Sequence, residues 1–291
     1  MSVRRRSAAL VAVLVVASAV AGTVLELARG GQSWPAARVL GFSSAALRDT
    51  IGVNVYLPPG YAGSTRRYPV IYFLHGLPAS PYAYRGLGFL RRALATAGRP
   101  GILVTVQGAR ESEEDGEYLD SGPGHDWETA IALELTRFVD SNFRTIAGRR
   151  GRAIVGLSAG GYGAMLIGLH HLDRFAAIES WSGYFRPTDE SGTTVIDLGS
   201  ATANKYASAH TFVGTLRASF ARRPTFVGFY VGSSDGRFRT ENETLDRELT
   251  AARVPHRFRL YPGAHEHGLW EREAPAWLRL AFEHLDRSED R

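Results

Sequence analysis

From residue 38 onward, short apolar segments alternate with longer amphipathic segments. The short segments predict strands, most of them apolar at nearly every position, as in parallel strands covered on both faces: 70–74, 102–106, 152–157, 175–181, 224–231 and 257–261. The amphipathic segments predict helices at 86–97, 127–138, 159–170, 240–249 and 270–281. Thr240 and Glu243 have the spacing of a capping box, which predicts the start of one of these helices. This alternation predicts an α/β fold with a mostly parallel central sheet and helices on both faces.

Two further segments, 38–42 and 51–57, precede the first buried strand and are joined by a short turn. They predict an antiparallel pair of strands at the N-terminal edge of the sheet. We therefore expect a single domain over 38–288. Segment 185–223 fits the alternation least well, because it is polar and rich in small residues. It predicts an excursion over the active site.

Residues 1–25 differ in composition from the rest of the chain. The arginines at 4–6 precede a weakly apolar run, 8–25, which offers A-x-A cleavage patterns at 17–21. This pattern predicts a secretory signal peptide, and therefore a secreted or cell-envelope protein. The alternative is an uncleaved anchor that holds the protein in a membrane. Residues 26–37 predict a linker.

Composition and charge narrow the function classes. The chain has no cysteine, which excludes disulfides, thiolate metal sites and a cysteine nucleophile. Its formal net charge is +5, and the arginines are scattered among acidic residues. This distribution is typical of a solvated surface and does not indicate nucleic-acid binding.

The segment Gly156-Leu157-Ser158-Ala159-Gly160 is a G-x-S-x-G pattern between a predicted strand and a predicted helix. In that context the serine sits on a strained turn with its hydroxyl projecting above the sheet edge. Gly156 and Gly160 occupy positions where a side chain would collide across the turn. A chance match in a glycine-rich chain is the alternative, but the flanking elements favour Ser158 as a nucleophile.

A serine nucleophile needs an imidazole to take its proton and a carboxylate to orient that imidazole. In this architecture the acid follows a later strand, and the base follows the last strand. Asp235 follows strand 224–231 and His265 follows strand 257–261, so both are expected at the edge that carries Ser158. The alternatives that stay open are one later histidine and two acids that follow the preceding strand: His267, Asp189 and Asp197.

The oxyanion of the tetrahedral intermediate needs two backbone N–H donors. Ala159 follows the serine at a helix N-terminus, where the helix dipole also favours negative charge. Leu77 lies in the loop after the first buried strand, where Gly76 lets the backbone turn inward and Pro78 has no N–H. We interpret His75 as a structural residue of that loop.

With these residues in place, the chain resembles the esterase D, or putative esterase, branch of the α/β-hydrolases. This branch includes S-formylglutathione hydrolases, feruloyl esterases, enterochelin esterases and mycobacterial mycolyltransferases. The likeness lies in VYLPPGY (55–61), YPVIYFLHG (68–76), WETAIALEL (127–135), AIVGLSAGGYGAM (153–165), the loop 232–235 and PGAHEHGLW (262–270). The resemblance implies an α/β-hydrolase fold, a catalytic triad and two oxyanion donors on the residues already named: Ser158, Asp235, His265, Leu77 and Ala159. Trp270 matches the family's spacing after the histidine, which favours His265 over His267.

Two departures from the family guide the choice of activity. Mycolyltransferases use a glutamate as the acid and carry an arginine in the oxyanion loop, where this chain has Asp235 and Pro78, and S-formylglutathione hydrolases lack a leader. We therefore expect an exported serine hydrolase that cleaves carboxylic esters through a Ser-His-Asp triad and an acyl-enzyme. The alternatives are an acyltransferase that uses a sugar or lipid hydroxyl, and a non-catalytic cell-surface binding protein on a hydrolase scaffold.

The expected partner is a small-molecule or cell-envelope ester. We expect no metal, cofactor or nucleic acid, and membrane contact only if the N-terminal segment stays uncleaved. The sequence leaves the oligomeric state open.

Overall fold

The central element is a sheet of eight strands. In chain order they are β1 (Arg38–Ser44), β2 (Asp49–Tyr56), β3 (Val70–Leu74), β4 (Ile102–Val106), β5 (Arg152–Leu157), β6 (Ala177–Trp181), β7 (Phe226–Gly232) and β8 (Arg257–Tyr261). Across the sheet their order is β1-β2-β4-β3-β5-β6-β7-β8. The pairs β1–β2 and β2–β4 are antiparallel, and all other neighbouring pairs are parallel. The predicted fold class, including the antiparallel N-terminal edge, is confirmed.

The computed structural model describes residues 33–78, 80–110, 113, 117–189, 191–192 and 194–286. The predicted signal peptide or anchor and most of the predicted linker lie outside these residues. From Trp34 onward, the chain clusters as one compact unit. Within the described residues, no helix is long and apolar enough to cross a membrane.

Each face of the sheet carries its own apolar layer. On β5, Ile154 belongs to one layer, whereas Ala153 and Val155 belong to the other. Both layers bury their side chains almost completely. This explains why the central strands are apolar at consecutive positions instead of alternating.

Helices α1 (Phe89–Ala97) and α7 (His267–Glu283) cover one face of the sheet. The other face is covered by α2 (127–142), α3 (Ala159–His170), α5 (Val213–Arg222) and α6 (Arg239–Ala251). Helix α2 is made of three sections, Trp127–Thr129, a π-helical Ala130–Leu135, and Thr136–Asn142.

Several bounds lie a few residues from the predicted ones, and two differences have a cause in the hydrogen bonds. Helix α6 begins at Arg239, and its N-cap residue, Phe238, has no side-chain capping bond. Glu243 accepts a hydrogen bond from Arg239 Nε over 2.8 Å instead of capping the helix, so the capping-box prediction was wrong. Strand β6 begins at Ala177, because the Phe175 N–H is bonded to the carbonyl of His171.

Segment 185–223 contains the short helix α4 (Ala201–Tyr206), a 3-10 turn (Ala209–Phe212) and α5. The hydroxyl of Tyr162, on α3, donates to the carbonyl of Ala207 over 2.7 Å. This buried bond ties the segment to the helix that follows the serine turn.

Candidate active site

Ser158 lies between the last residue of β5 and the first residue of α3. Its backbone has φ 54° and ψ −124°, a positive-φ conformation that is rare for a residue with a side chain. The Ser158 N–H donates to the carbonyl of Trp181 over 2.9 Å, and its own carbonyl accepts from Gly161 over 2.8 Å. Hydrogen bonds therefore hold the strained turn on both sides, and backbone strain of this kind persists only where the surrounding structure fixes it.

The two glycines of the pattern are required by close contact of the backbone. A Cβ on Gly156 would lie 2.0 Å from the carbonyl oxygen of Gly160. A Cβ on Gly160 would lie 2.2 Å from the carbonyl oxygen of Leu74. The predicted collisions are confirmed, because both contacts are with backbone atoms that cannot rotate away.

His265 and Asp235 meet Ser158 at the carboxyl edge of the sheet. His265 follows β8, and its Nε2 lies 2.9 Å from Ser158 Oγ. Asp235 follows β7, and its Oδ2 lies 2.8 Å from His265 Nδ1. The three side chains form one hydrogen-bonded line, with residues Ser158 and Asp235 only 8% and 2% exposed.

The turn after β7 holds the Asp235 carboxylate. Its second oxygen, Oδ1, accepts the backbone N–H groups of Arg237 and Phe238 over 3.0 and 3.1 Å. Burial would raise the pKa of this carboxyl, but the hydrogen bond and charge of His265, with the two backbone donors, lower it overall. Asp235 is therefore ionised at neutral pH and suited to orient an imidazole.

The alternative acids and histidine named from the sequence lie away from Ser158 or form hydrogen bonds with other groups. The side chain of His267 is 60% exposed, and its Nε2 lies 3.7 Å from Glu271. Asp197 is exposed and accepts a hydrogen bond from Asn204. Asp189 lines the same cleft as Ser158, but its Oδ1 accepts from the Ser191 hydroxyl and the Thr194 N–H. The hydrogen bonds of His265 join it to Ser158 and Asp235.

The loop after β3 approaches the serine turn closely. A Cβ on Gly76 would lie 2.8 Å from Ser158 Cβ. The next residue, Leu77, lines the cleft, and Ala159 is the first residue of α3. These placements suit the predicted oxyanion donors, whose role stays a prediction.

His75 is buried within that loop. Its carbonyl accepts a hydrogen bond from the Tyr118 hydroxyl over 2.7 Å, and its Nδ1 lies 2.8 Å from the Gly76 carbonyl oxygen. Burial lowers the pKa of the His75 imidazole, although the Gly76 carbonyl opposes this shift. A buried histidine engaged with its own loop suits the structural interpretation.

Ser158 and His265 open into a cleft of about 480 Å³. Besides residues already named, the cleft is lined by Pro78 and by four larger side chains: Tyr184, Arg237, Phe238 and Trp270. The sequence reasoning noted Trp270 but missed the other three. Arg237 and Phe238 lie two and three residues after Asp235, so this spacing could have indicated that they line the cleft. No pattern in the sequence indicates the same for Tyr184. Segment 185–223 contributes Asp189 to this lining.

A second polar cluster lies outside the cleft. Glu128 Oε1 is within hydrogen-bond distance of His170 Nδ1 (2.8 Å), His171 Nε2 (2.9 Å) and the Tyr206 hydroxyl (3.1 Å). Burial would raise the pKa of Glu128, but bonds to the two histidines and their charge lower it to about 2. Among the residues that the structure describes, no group of histidines and acids is arranged to hold a metal ion. The cluster joins α2, α3 and α4, because Glu128, His170 and Tyr206 lie on these helices.

Comparison with known proteins extends this picture. The family model described as Putative esterase matches residues 44–279. The chain is similar to the Mycobacterium tuberculosis protein named Esterase Rv1288, with 33% identity over 170 residues, which are 55% of this chain and 37% of that protein. It is also similar to the Mycobacterium leprae diacylglycerol acyltransferase/mycolyltransferase Ag85A, with 28% identity over 147 residues, covering 48% and 44%.

Among solved structures, one ferulic acid esterase superposes with a TM-score of 0.72 at 25% identity and covers 86% of this chain and 98% of that one. The fold is therefore shared over nearly the whole of that esterase. By contrast, the match spans less than half of the length of either mycobacterial relative.

Proposed function

Because the chain belongs to the putative esterase family, we propose that it is a serine hydrolase that cleaves carboxylic esters through an acyl-enzyme on Ser158. The observation that carries the proposal is the hydrogen-bonded line from Ser158 Oγ through His265 to Asp235. A serine hydroxyl is a poor nucleophile unless an adjacent base takes its proton, and this line supplies such a base.

In the first half of the reaction, Ser158 Oγ attacks the ester carbonyl carbon while its proton passes to His265 Nε2. Asp235 accepts the Nδ1–H hydrogen bond, which leaves Nε2 free to accept a proton and stabilises the imidazolium. The bond between the carbonyl carbon and the alcohol oxygen then breaks, and Nε2–H returns the proton to the departing alkoxide. The acyl group stays on Ser158.

In the second half, His265 Nε2 takes a proton from water as the water oxygen attacks the acyl carbon. Ser158 Oγ leaves with the proton from Nε2, and the carboxylic acid is released. In both halves we assign the developing negative oxygen to the N–H groups of Ala159 and Leu77. The position of Ala159 at the start of α3 and the approach of Gly76 to Ser158 support this assignment.

The test is turnover of short p-nitrophenyl esters by the wild type, Ser158→Ala and a matched control, Ser180→Ala. Ser180 is fully buried one strand away, and its hydroxyl has no hydrogen-bond partner among the described residues, so we expect its loss to leave the fold intact. We expect Ser158→Ala to lose at least about 10³-fold in kcat, and Ser180→Ala to match the wild type. Undiminished hydrolysis by Ser158→Ala would refute the mechanism.

Labelling with a fluorophosphonate probe separates an enzyme from a binding protein, because only an activated serine reacts. We expect labelling of the wild type and none of Ser158→Ala. An inert wild type would favour the non-catalytic cell-surface binding protein.

The second candidate function is acyl transfer to a sugar or lipid hydroxyl, and the similarity to the acyltransferase Ag85A favours it. The same residues would act, with an acceptor hydroxyl in the place of water in the second half. Product analysis with and without added sugars or glycerolipids separates the two reactions. A free acid formed at the same rate with every acceptor supports hydrolysis, whereas an acylated acceptor supports transfer.

The proposal includes export, which rests on the pattern of residues 1–25. A fusion of residues 1–37 to a reporter that is active only outside the cytoplasm tests it, with residues 26–37 alone as the control. Release of a shortened chain supports a signal peptide, whereas full-length chain kept in the membrane supports the anchor.

A further inference from the structure

The imidazole of His265 contacts two aromatic rings in addition to its two hydrogen-bond partners. Its centroid lies 5.1 Å from that of Phe238, at an interplanar angle of 65°, and 5.0 Å from that of Trp270, at 88°. The hydrogen bonds at Nδ1 and Nε2 orient the ring, but they stretch and break when the ring swings about its χ1 and χ2 bonds. Close aromatic neighbours oppose this rotation, because it would drive ring atoms into a packed wall.

Phe238 is also joined to the acid. Its backbone N–H donates to Asp235 Oδ1, while Asp235 Oδ2 contacts His265 Nδ1. The main chain of Phe238 therefore holds the carboxylate, and its side chain packs against the imidazole. One residue therefore contacts both the acid and the base.

The Phe238 ring is itself anchored. It stacks on Tyr184 at 4.8 Å and 30°, and Tyr184 stacks on Tyr162 at 5.1 Å and 8°. The Tyr184 hydroxyl donates to the buried carboxylate of Glu117, at 2.6 Å from Oε2. The loop at Gly192 packs so closely that an added Cβ would lie 2.4 Å from the Phe238 ring. Phe238 is 3% exposed and confined by these neighbours.

We propose that Phe238 is a positioning residue that keeps the imidazole of His265 aligned between Ser158 and Asp235 during proton transfer. The proposal rests on the proposed function for its effect on rate. A displacement of a reacting group by 1 Å can cost roughly 10²-fold. Replacement of Phe238 by leucine removes the ring that confines the imidazole but keeps an apolar side chain. We therefore expect a fall in kcat of about 10- to 100-fold and a much smaller change in KM.

The experiment compares Phe238→Leu and the milder Phe238→Met with a matched control, Phe143→Leu. Phe143 is also buried, but it follows α2 near the amino-terminal edge of the sheet, where the nearby Thr145 pairs with Tyr68 just before β3. Rates are expressed per active site titrated with the fluorophosphonate, so that misfolded protein does not count. We expect both Phe238 variants to lose kcat, more so for leucine, and Phe143→Leu to keep it. Full kcat per titrated site in Phe238→Leu would overturn the proposal.

A second readout does not depend on turnover. The Nδ1 proton that His265 shares with Asp235 should give a downfield proton NMR signal, which Asp235→Asn identifies by its loss. We expect this signal to broaden or disappear in Phe238→Leu and to persist in Phe143→Leu. An unchanged signal in Phe238→Leu would overturn the proposal even if the variant were slow. If the wild type shows the signal but cleaves no ester, the proposed function fails, and the signal in Phe238→Leu still decides the positioning role.

Discussion

The change Asp235→Asn tests the inferred proton path with the smallest change in shape. Asp235 Oδ1 accepts two backbone N–H groups, from Arg237 and Phe238, and Oδ2 faces His265 Nδ1. In the asparagine variant, the two N–H donors require the amide oxygen at the Oδ1 position. The amide NH₂ then faces His265 Nδ1, which must become an acceptor. The imidazole proton moves to Nε2, and a protonated Nε2 can no longer accept the proton of Ser158.

The structure also sets the size of the effect. Turning the amide over would restore the tautomer but would oppose NH₂ to two backbone donors and leave both unsatisfied, at a cost of about 1–3 kcal/mol for each donor. The variant therefore keeps the wrong tautomer. We expect kcat to fall about 10³- to 10⁴-fold, which corresponds to roughly 4–5.5 kcal/mol. The free energy of unfolding should fall by only about 1–2 kcal/mol, because both backbone donors keep an acceptor but lose an ionised one.

The assay is kcat and KM on a p-nitrophenyl ester, with urea unfolding across pH. The pKa of Asp235 is lowered in the folded state, so its ionised form stabilises the protein above the unfolded pKa of about 3.9. This contribution is lost as the pH falls through the folded value, so the stability gap between wild type and Asp235→Asn should narrow in acid. A kcat within tenfold of the wild type at neutral pH would refute the tautomer argument.

Three further predictions concern the turn, the excursion and the cleft. Gly160→Ala should lower the free energy of unfolding by about 1–3 kcal/mol and slow fluorophosphonate labelling. Its control is Gly214→Ala, whose added Cβ has no atom within 4 Å and which should be neutral or stabilising in the same assays. Burial would lower the pKa of His210, but the carboxylates of Glu241 and Glu248 raise it overall. His210→Gln should therefore lower the free energy of unfolding by about 0.5–1 kcal/mol near pH 5.5 and by less near pH 8.5. An equal loss at both pH values would contradict the reasoning. Arg237→Gln removes an exposed cation from the cleft. It should lower kcat/KM about two- to fivefold for the anionic p-nitrophenyl hemisuccinate but not for the neutral methyl ester of that substrate. Equal losses for the two substrates would exclude a charge effect.

Much of the fold could be read from local patterns. The bounds of β3, β4 and β5 match the predicted segments, because buried parallel strands are apolar at consecutive positions. The bounds of β8 also match, although this strand lies at the end of the sheet and is largely exposed. The predicted start of β6 failed at Phe175, whose N–H bonds to the carbonyl of His171, four residues earlier in the chain. Glu128, on α2, is buried and bonds to His170 and His171, which lie 42 and 43 residues away. No periodicity within α2 carries that information.

By itself the sequence determined the alternation of strands and helices, the strained glycine-flanked turn at Ser158, and the order in which acid and base follow their strands. These depend on local sterics and on side-chain period, which a short stretch contains. Only the tertiary structure decided that His265, and not His267, reaches Ser158, and that Phe238 and Tyr184 line the same cleft. Those contacts depend on where separate loops meet at one sheet edge, which the packing of the whole domain sets to within an ångström.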